Sequence, residues 1–257
     1  MKRLWKSKPH ILPVGERESA ANNHSTRIQT LWQWTALPAA ACVLLLAVIS
    51  VLQIDLRGKQ SVAAPDKGYI LIDPGHGGFD GGAVAADGTE EKNINLSISL
   101  NLRDVLTVLG YDVHMTRAED MALNDGGSTV RERKVDDMKK RLALYEQAAL
   151  VIGIHQNKFE IPKYYGTQIF YSPNRPESKM LADSIRTQVL TMLQPENTRE
   201  LKKAADTVYL LHKTTVPAAF VECGFLSNPE ELEKLKSAEY QKQMAFAIAC
   251  GFVDYMI

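Results

Sequence analysis

Two histidines and a glutamate stand at the ends of separate apolar runs. One run closes Ile72-Asp73-Pro74-Gly75-His76-Gly77-Gly78, another Ile152-Gly153-Ile154-His155-Gln156-Asn157, and a third Phe220-Val221-Glu222-Cys223-Gly224-Phe225. Glu91 follows the turn Asp87-Gly88-Thr89-Glu90 and opens a helical stretch. Two His and one carboxylate with an open fourth position form a catalytic zinc set. Such an ion polarises a carbonyl and lowers the pKa of water toward about 7. Amide hydrolysis further needs a carboxylate that takes the proton of water and returns it to the leaving amine. His76, Glu91, His155 and Glu222 together are the types this chemistry requires. The glycines beside His76 let backbone approach a metal or substrate closely.

Each residue also has an ordinary reading. A histidine at a strand end is commonly a hydrogen-bonded structural group. Asp-Pro-Gly-His-Gly-Gly reads equally as a tight turn, and Glu90 and Glu91 as acidic charges suited to a helix N-terminus. Spacing alone leaves both readings open. Cys223 raises a thiol nucleophile, but a free cysteine is commonly a small buried hydrophobe. Arg117 and Arg141 read as structural ion-pair partners, Lys139-Lys140-Arg141 as a solvated helix face, and His114 as structural. Tyr164 and Tyr165 fall in a loop near His155 and could line a sugar or peptide groove. Asn157 could bond a ligand residue or the substrate.

The elements that must position these residues alternate. Strands are expected at Tyr69–Asp73, Tyr111–Met115, Ala149–Ile154, Thr167–Tyr171, Thr207–Leu211 and Ala218–Val221. Helices are expected over 92–109, 130–147, 176–193 and 238–256, with Gly110 closing the first. Residues 94–102 alternate apolar and polar like a strand, yet Ile98, Leu102, Val105, Leu106 and Leu109 also form a helical stripe. Helix is chosen, because the segment is long for a strand and parallel neighbours need a crossover. The pattern predicts an α/β fold: a twisted, mostly parallel (mixed) sheet with helices on both faces. Sites in such sheets form at the carboxyl ends of the strands.

The 257-residue chain has 30 basic and 30 acidic side chains, with 45% hydrophobic and 23% charged residues. Those values exclude a disordered or collagenous chain, and neutrality argues against a nucleic-acid binder. Three scattered cysteines, Cys42, Cys223 and Cys250, make no disulfide framework. Neutrality conceals two unlike parts. Residues 1–64 carry eight basic and three acidic side chains, whereas residues 65–257 carry 22 and 27. Within the first part, residues 34–54 are 21 residues without a charge, beginning at Trp34. About 20 such residues cross a bilayer as a helix, and the basic excess in 1–33 predicts that this end stays cytoplasmic. Segment 34–54 reads as a signal anchor, with a cleavable signal peptide as the alternative because Ser61-Val62-Ala63-Ala64 suits cleavage. Residues 55–67 read as a linker and 68–257 as one catalytic domain.

The ordered set Ile72-Asp73-Pro74-Gly75-His76-Gly77-Gly78-Phe79-Asp80-Gly81-Gly82-Ala83, Glu91-Lys92-Asn93-Ile94-Asn95-Leu96, Thr116-Arg117, Ile154-His155-Gln156-Asn157 and Val221-Glu222-Cys223-Gly224-Phe225-Leu226-Ser227-Asn228 resembles the zinc-dependent N-acetylmuramoyl-L-alanine amidases of the amidase 3 type. The resemblance implies a six-stranded sheet. It implies hydrolysis of the amide between N-acetylmuramic acid and L-alanine in peptidoglycan. It makes His76, Glu91 and His155 the Zn2+ ligands and Glu222 the catalytic carboxylate. Asn157 becomes a substrate-binding candidate.

The sequence departs from the family pattern at Gln156, where a small residue is usual, and at Leu211-His212, where Leu-Arg is usual. An arginine contact to substrate or structure is therefore missing or replaced, with His212 as a substitute ligand in the second case. The bare domain, the anchor and Glu222-Cys223 are similar to the spore-cortex germination branch, whose action precedes muramic lactam formation. That branch implies a deacetylase acting next, peptidoglycan as partner, membrane contact through the N-terminal helix, and a catalytic domain outside the cytoplasm, in the forespore intermembrane space. The alternatives are an inactive wall-binding or regulatory domain, which needs no general base, and a metal-dependent peptidase or deacetylase acting on another amide.

Overall fold

The computed structural model describes residues 68–257; the expected span at 34–54 and the linker lie outside the described residues. Six strands form one sheet: β1 (Ile70–Pro74), β2 (Val113–Met115), β3 (Leu150–Asn157), β4 (Gln168–Tyr171), β5 (Lys202–Lys203) and β6 (Ala218–Phe225). Their order is β2-β1-β3-β6-β4-β5. The first four are mutually parallel, β4 runs antiparallel to β6, and β5 parallel to β4. The helices are α1 (Glu91–Val108), α2 (Val130–Tyr145), α3 (Pro176–Met192), α4 (Tyr209–Lys213), α5 (Pro229–Lys236) and α6 (Ala238–Met256). The mixed sheet expected from sequence is present, and among the described residues no helix is long and apolar enough to cross a membrane.

Strand alternation divides the side chains between two cores. Ile70, Ile72, Ile152, Ile154, Val221 and Cys223 face one side, covered by α1, α3, α5 and α6. Leu71, Val151, Ala218 and Phe220 face the other, where Tyr145 of α2 and Leu210 and Leu211 of α4 cover them. His155 and Glu222 continue this second set by two-residue steps.

The ambiguous segment is helix α1. Ile94, Ile98, Leu102 and Leu106, four apart, are all buried. The helix ends as the glycine predicts: Gly110 takes φ 90°, its N–H donates to Thr107 O at 3.0 Å, and Tyr111 N–H donates to Leu106 O at 3.1 Å. Helix α2 starts at a capping box in which Thr129 and Glu132 bond each other's backbone N–H.

The expected strand Thr207–Leu211 is not one. Its β-branched and aromatic residues read as strand, but Tyr209–Lys213 winds into α4 and buries Leu210 and Leu211 against α2. Packing overrides a short propensity signal here. The sixth strand is instead the lysine pair of β5. Strands β3 and β6 also run longer than expected, so His155 and Glu222 lie inside paired strand rather than beyond it.

Candidate active site

Four segments meet at the carboxyl ends of β1, β3 and β6. His76 sits in the loop after β1 with φ 63°, a left-handed conformation unusual for a residue with a side chain. Buried arginines hold that loop. Arg117 donates to Pro74 O and Gly75 O at 3.0 Å each, and Arg141 donates to Pro74 O at 3.0 Å and His76 O at 2.7 Å. Arg141 also pairs with Asp137 at 2.7 Å and with the buried Asp73, which Thr116 and Tyr145 bond as well. Burial opposes Asp73's charge, but Arg141 and these hydroxyls hold its carboxyl below the usual range. Arg141 is thus an ion-pair partner, as expected, but not part of a solvated face. Arg117 is structural, and among the described residues its acceptors are carbonyls rather than carboxylates.

Glu91 begins α1 and His155 projects from β3. One donor atom each from His76, Glu91 and His155 lie within 4.8 Å of one another. Glu91 Oε2 lies 3.3 Å from His76 Nε2, and Oε1 lies 3.3 Å from His155 Nδ1. Its neighbour Glu90 is the helix N-cap and turns to Lys92 at 3.4 Å. Glu91 is buried and receives backbone N–H groups from Ala83 (2.8 Å) and Gln156 (2.9 Å) and the Asn95 amide (3.2 Å). Burial opposes its charge, yet the bonds and charges of His155 and His76 hold its carboxyl far below the usual range. Burial likewise opposes a charged His76, but Asp80 and Glu91 raise it to about 9.

Asp80 was not singled out from sequence. Its Oδ2 accepts from His76 Nδ1 at 2.8 Å, which fixes the ring and leaves Nε2 toward Glu91. Lys134 braces the other oxygen at 2.8 Å. The signal lay in the four-residue spacing within one glycine-rich loop. Asn95 was also missed: it lies one helical turn from Glu91, and its oxygen accepts from the Gln156 side-chain amide at 3.1 Å. Gln156 therefore acts under Glu91 from the opposite strand face to His155.

Glycines press the histidines into place. A Cβ at Gly75 would sit 2.1 Å from His155 Cε1, and one at Gly82 would sit 2.7 Å from His76 Cδ2. The His155 ring stacks on Phe220 with centroids 4.8 Å apart. His155 Nε2 is buried and has no hydrogen-bond partner among the described residues. Two imidazoles, a carboxylate and a buried ring nitrogen left unpaired form a donor set that fits a divalent metal of the zinc type.

Glu222 stands in register with His155 on the neighbouring strand. Burial raises its carboxyl to about 7; His155 and His76 oppose that rise and Glu91 adds to it. It is only partly covered by area but closely ringed by protein atoms, which is what desolvates it. A cavity of about 300 Å³ opens beside the cluster, lined by His76, Asp80, Lys134, His155, Val208 and Phe220 among others.

Other candidates fall elsewhere. His212 on α4 is not in the cluster; its carbonyl accepts from Asn174 at 2.8 Å. Cys223 is buried on the opposite strand face, and burial pushes its thiol well up, which disfavours a nucleophile. His114 stacks on Tyr69 at 3.9 Å. Tyr164 and Tyr165 line a separate rim pocket. Asn157 ends β3, where its carbonyl accepts from Leu226 N–H at 2.8 Å.

The fold and site together define an α/β protein with a candidate metal site and a buried carboxylate at the carboxyl ends of its inner strands. More narrowly, residues 70–253 match the N-acetylmuramoyl-L-alanine amidase family (Amidase_3), and the chain belongs to it. It is accordingly a peptidoglycan amide hydrolase. It is 37% identical over 189 residues to the germination-specific N-acetylmuramoyl-L-alanine amidase of Bacillus subtilis, covering 72% of this chain and 78% of that one. The solved CwlD amidase of Clostridioides difficile, in complex with the GerS lipoprotein, superposes with a TM-score of 0.71 at 37% identity, covering 74% and 98%. The catalytic domain of CwlV from Bacillus (Paenibacillus) polymyxa gives 0.61 at 27% identity, covering 73% and 97%.

Proposed function

We propose that this amidase is a zinc enzyme of spore-cortex maturation, tethered outside the cytoplasm by residues 34–54. The observation that carries the zinc assignment is the convergence of His76, Glu91 and His155 beside a desolvated carboxylate. These three residues would hold the ion. When bound, zinc would supply Lewis-acid polarisation of the scissile carbonyl and make water acidic enough to attack near neutral pH. Glu222 is placed to take a proton from the attacking water and return it to the leaving amine of L-alanine; a carboxyl near pH 7 is suited to both tasks. Asp80 and Lys134 keep His76 in one tautomer, while Asn95 and the Gln156 N–H hold Glu91. Asn157, at the end of β3, belongs to the substrate side.

The likeness to a germination-specific relative and to CwlD supports the cortex role, in which removal of the stem peptide precedes deacetylation and lactam closure by a following enzyme. The charge-free segment and basic N-terminus support the tether, with the catalytic domain in the forespore intermembrane space. The solved complex supports an accessory lipoprotein partner. Incubating the full chain and zinc with muropeptides, followed by mass spectrometry, tests the reaction. Release of intact stem peptides is expected; cleavage within the peptide or loss of acetate would reassign the activity.

A further inference from the structure

The cations closest to the site are committed to protein acceptors. Arg117 binds carbonyls, Arg141 pairs with Asp73 and Asp137, Lys92 with Asp120, Lys134 with Asp80, and Lys158 bonds Val84 O. Arg199 differs: among the described residues it has no carboxylate partner. Only its Nε is used, donating to Tyr165 O at 2.6 Å. Its guanidinium lies over the Phe225 ring at 4.5 Å and over Tyr164 at 5.7 Å. An arginine fixed by two aromatic rings and one backbone bond presents its remaining N–H groups as an ordered fork.

The segment bearing Arg199 is built rigidly and beside Glu222. Gln168 lies directly opposite Glu222 in the β4–β6 pairing, and its amide donates to Glu200 O at 2.6 Å. Asn197 is buried; its amide donates to Thr167 O at 2.9 Å and its oxygen accepts from Arg199 N–H at 3.0 Å. Strand β4 runs opposite to its neighbour, so its start reaches the rim where β3 and β6 end. There Lys163, Tyr164, Tyr165, Asn197, Thr198 and Arg199 line a pocket of about 270 Å³.

We propose that this rim pocket is the subsite for the acidic stem peptide, with Arg199 binding one of its carboxylates. The inference rests on the amidase reading and deepens it. A peptidoglycan strand offers neutral sugar rings on one side of the scissile amide and a carboxylate-bearing peptide on the other. An unpaired, clamped guanidinium matches the peptide side, because the planar fork pairs bidentately with a carboxylate. Lys163, exposed and lying 5.8 Å from the Tyr164 ring, adds a second positive charge.

The test compares a muramyl peptide with free stem carboxylates against the same compound with every carboxylate amidated, using the full chain loaded with zinc. Native enzyme is expected to favour the free acid in kcat/KM by about tenfold or more, the range of a charge-assisted bond. Arg199→Gln should bring the ratio of kcat/KM for the free acid over the amidated compound close to one while zinc affinity stays native. Arg199→Lys should restore part of the preference. Equal losses on both compounds would reduce Arg199 to a structural clamp, and an unchanged preference would remove it from the site. Binding is measured separately by titrating the released stem peptide, free or amidated, into Glu222→Gln and Glu222→Gln/Arg199→Gln proteins. This arm does not need turnover. Selective binding of the free acid lost with Arg199 supports the subsite even if the amidase reaction fails, and indifference of both proteins to amidation overturns it.

Discussion

His155 and Glu222 stand opposite each other in register on parallel strands β3 and β6, projecting from the same face of the sheet. One ring nitrogen thus reaches the metal-type donor cluster while the carboxylate lies beside it rather than within it. Glu222→Gln keeps shape and hydrogen bonding but cannot accept a proton. It should lose about 10²- to 10⁴-fold in kcat and retain native zinc stoichiometry by elemental analysis. Near-native turnover would remove Glu222 from the reaction.

His76→Ala and His155→Ala should each abolish stoichiometric zinc. Asp80→Asn keeps the size of the group at His76 Nδ1 but removes its charge and its ion pair with Lys134. Chelator competition should show zinc affinity falling by about 10- to 100-fold. An unchanged affinity would mean that His76 is oriented by the backbone alone.

The raised Glu222 carboxyl predicts an acidic limb of kcat/KM centred close to about 7 before zinc lowers it. The stability sign follows by linkage. A carboxyl held up to about 7 in the fold, against 4.5 ordinarily, contributes stability below the lower value and loses it as pH rises through the upper one. His76, raised to about 9 from 6.5, acts in the same direction at higher pH. Chelated Glu222→Gln should therefore melt above chelated native protein at about pH 8 and match it at about pH 4. A constant difference across pH would contradict the assignment.

Gly75 has no room for a methyl group, since its Cβ would fall 2.1 Å from His155 Cε1 and 2.6 Å from Nε2. Gly75→Ala should fold, because only a ring has to turn, but bind zinc at least about tenfold more weakly, the size of a supporting-residue loss. Native affinity in this variant would show that His155 tolerates displacement.

Arg141 and Asp73 are both buried beneath the His76 loop. Arg141→Met leaves Asp73 without its countercharge and should cost about 3–5 kcal/mol in urea unfolding. Asp73→Asn with Arg141→Met should recover part of that loss, because neither side chain then carries a buried charge. Additive losses would show that the two do not couple.

The sequence by itself placed the chemistry. Residue types and their positions after apolar runs marked His76, His155 and Glu222, and the glycine-rich loop marked a close approach of backbone. The sequence pattern placed α1, α2, α3 and α6 within a few residues; α1, α3 and α6 bury recurring apolar positions, whereas α2 buries only Arg141 and Tyr145. It failed where a short run was decided by its neighbours: Thr207–Leu211 has strand composition but buries two leucines as helix against α2. Glu91 was separated from its neighbour Glu90 only by the family resemblance, because it begins the Glu-Lys pair, and the first helical turn turns Glu91 to the histidines and Glu90 to Lys92. The tertiary structure brought Asp80, Lys134 and Asn95 to the donor atoms. Among the described residues it also left Arg199 without a carboxylate partner, in the rim pocket that Tyr164 and Tyr165 also line. Hydrogen bonds and ion pairs between residues distant in sequence depend on strand order and register, and no local pattern encodes these.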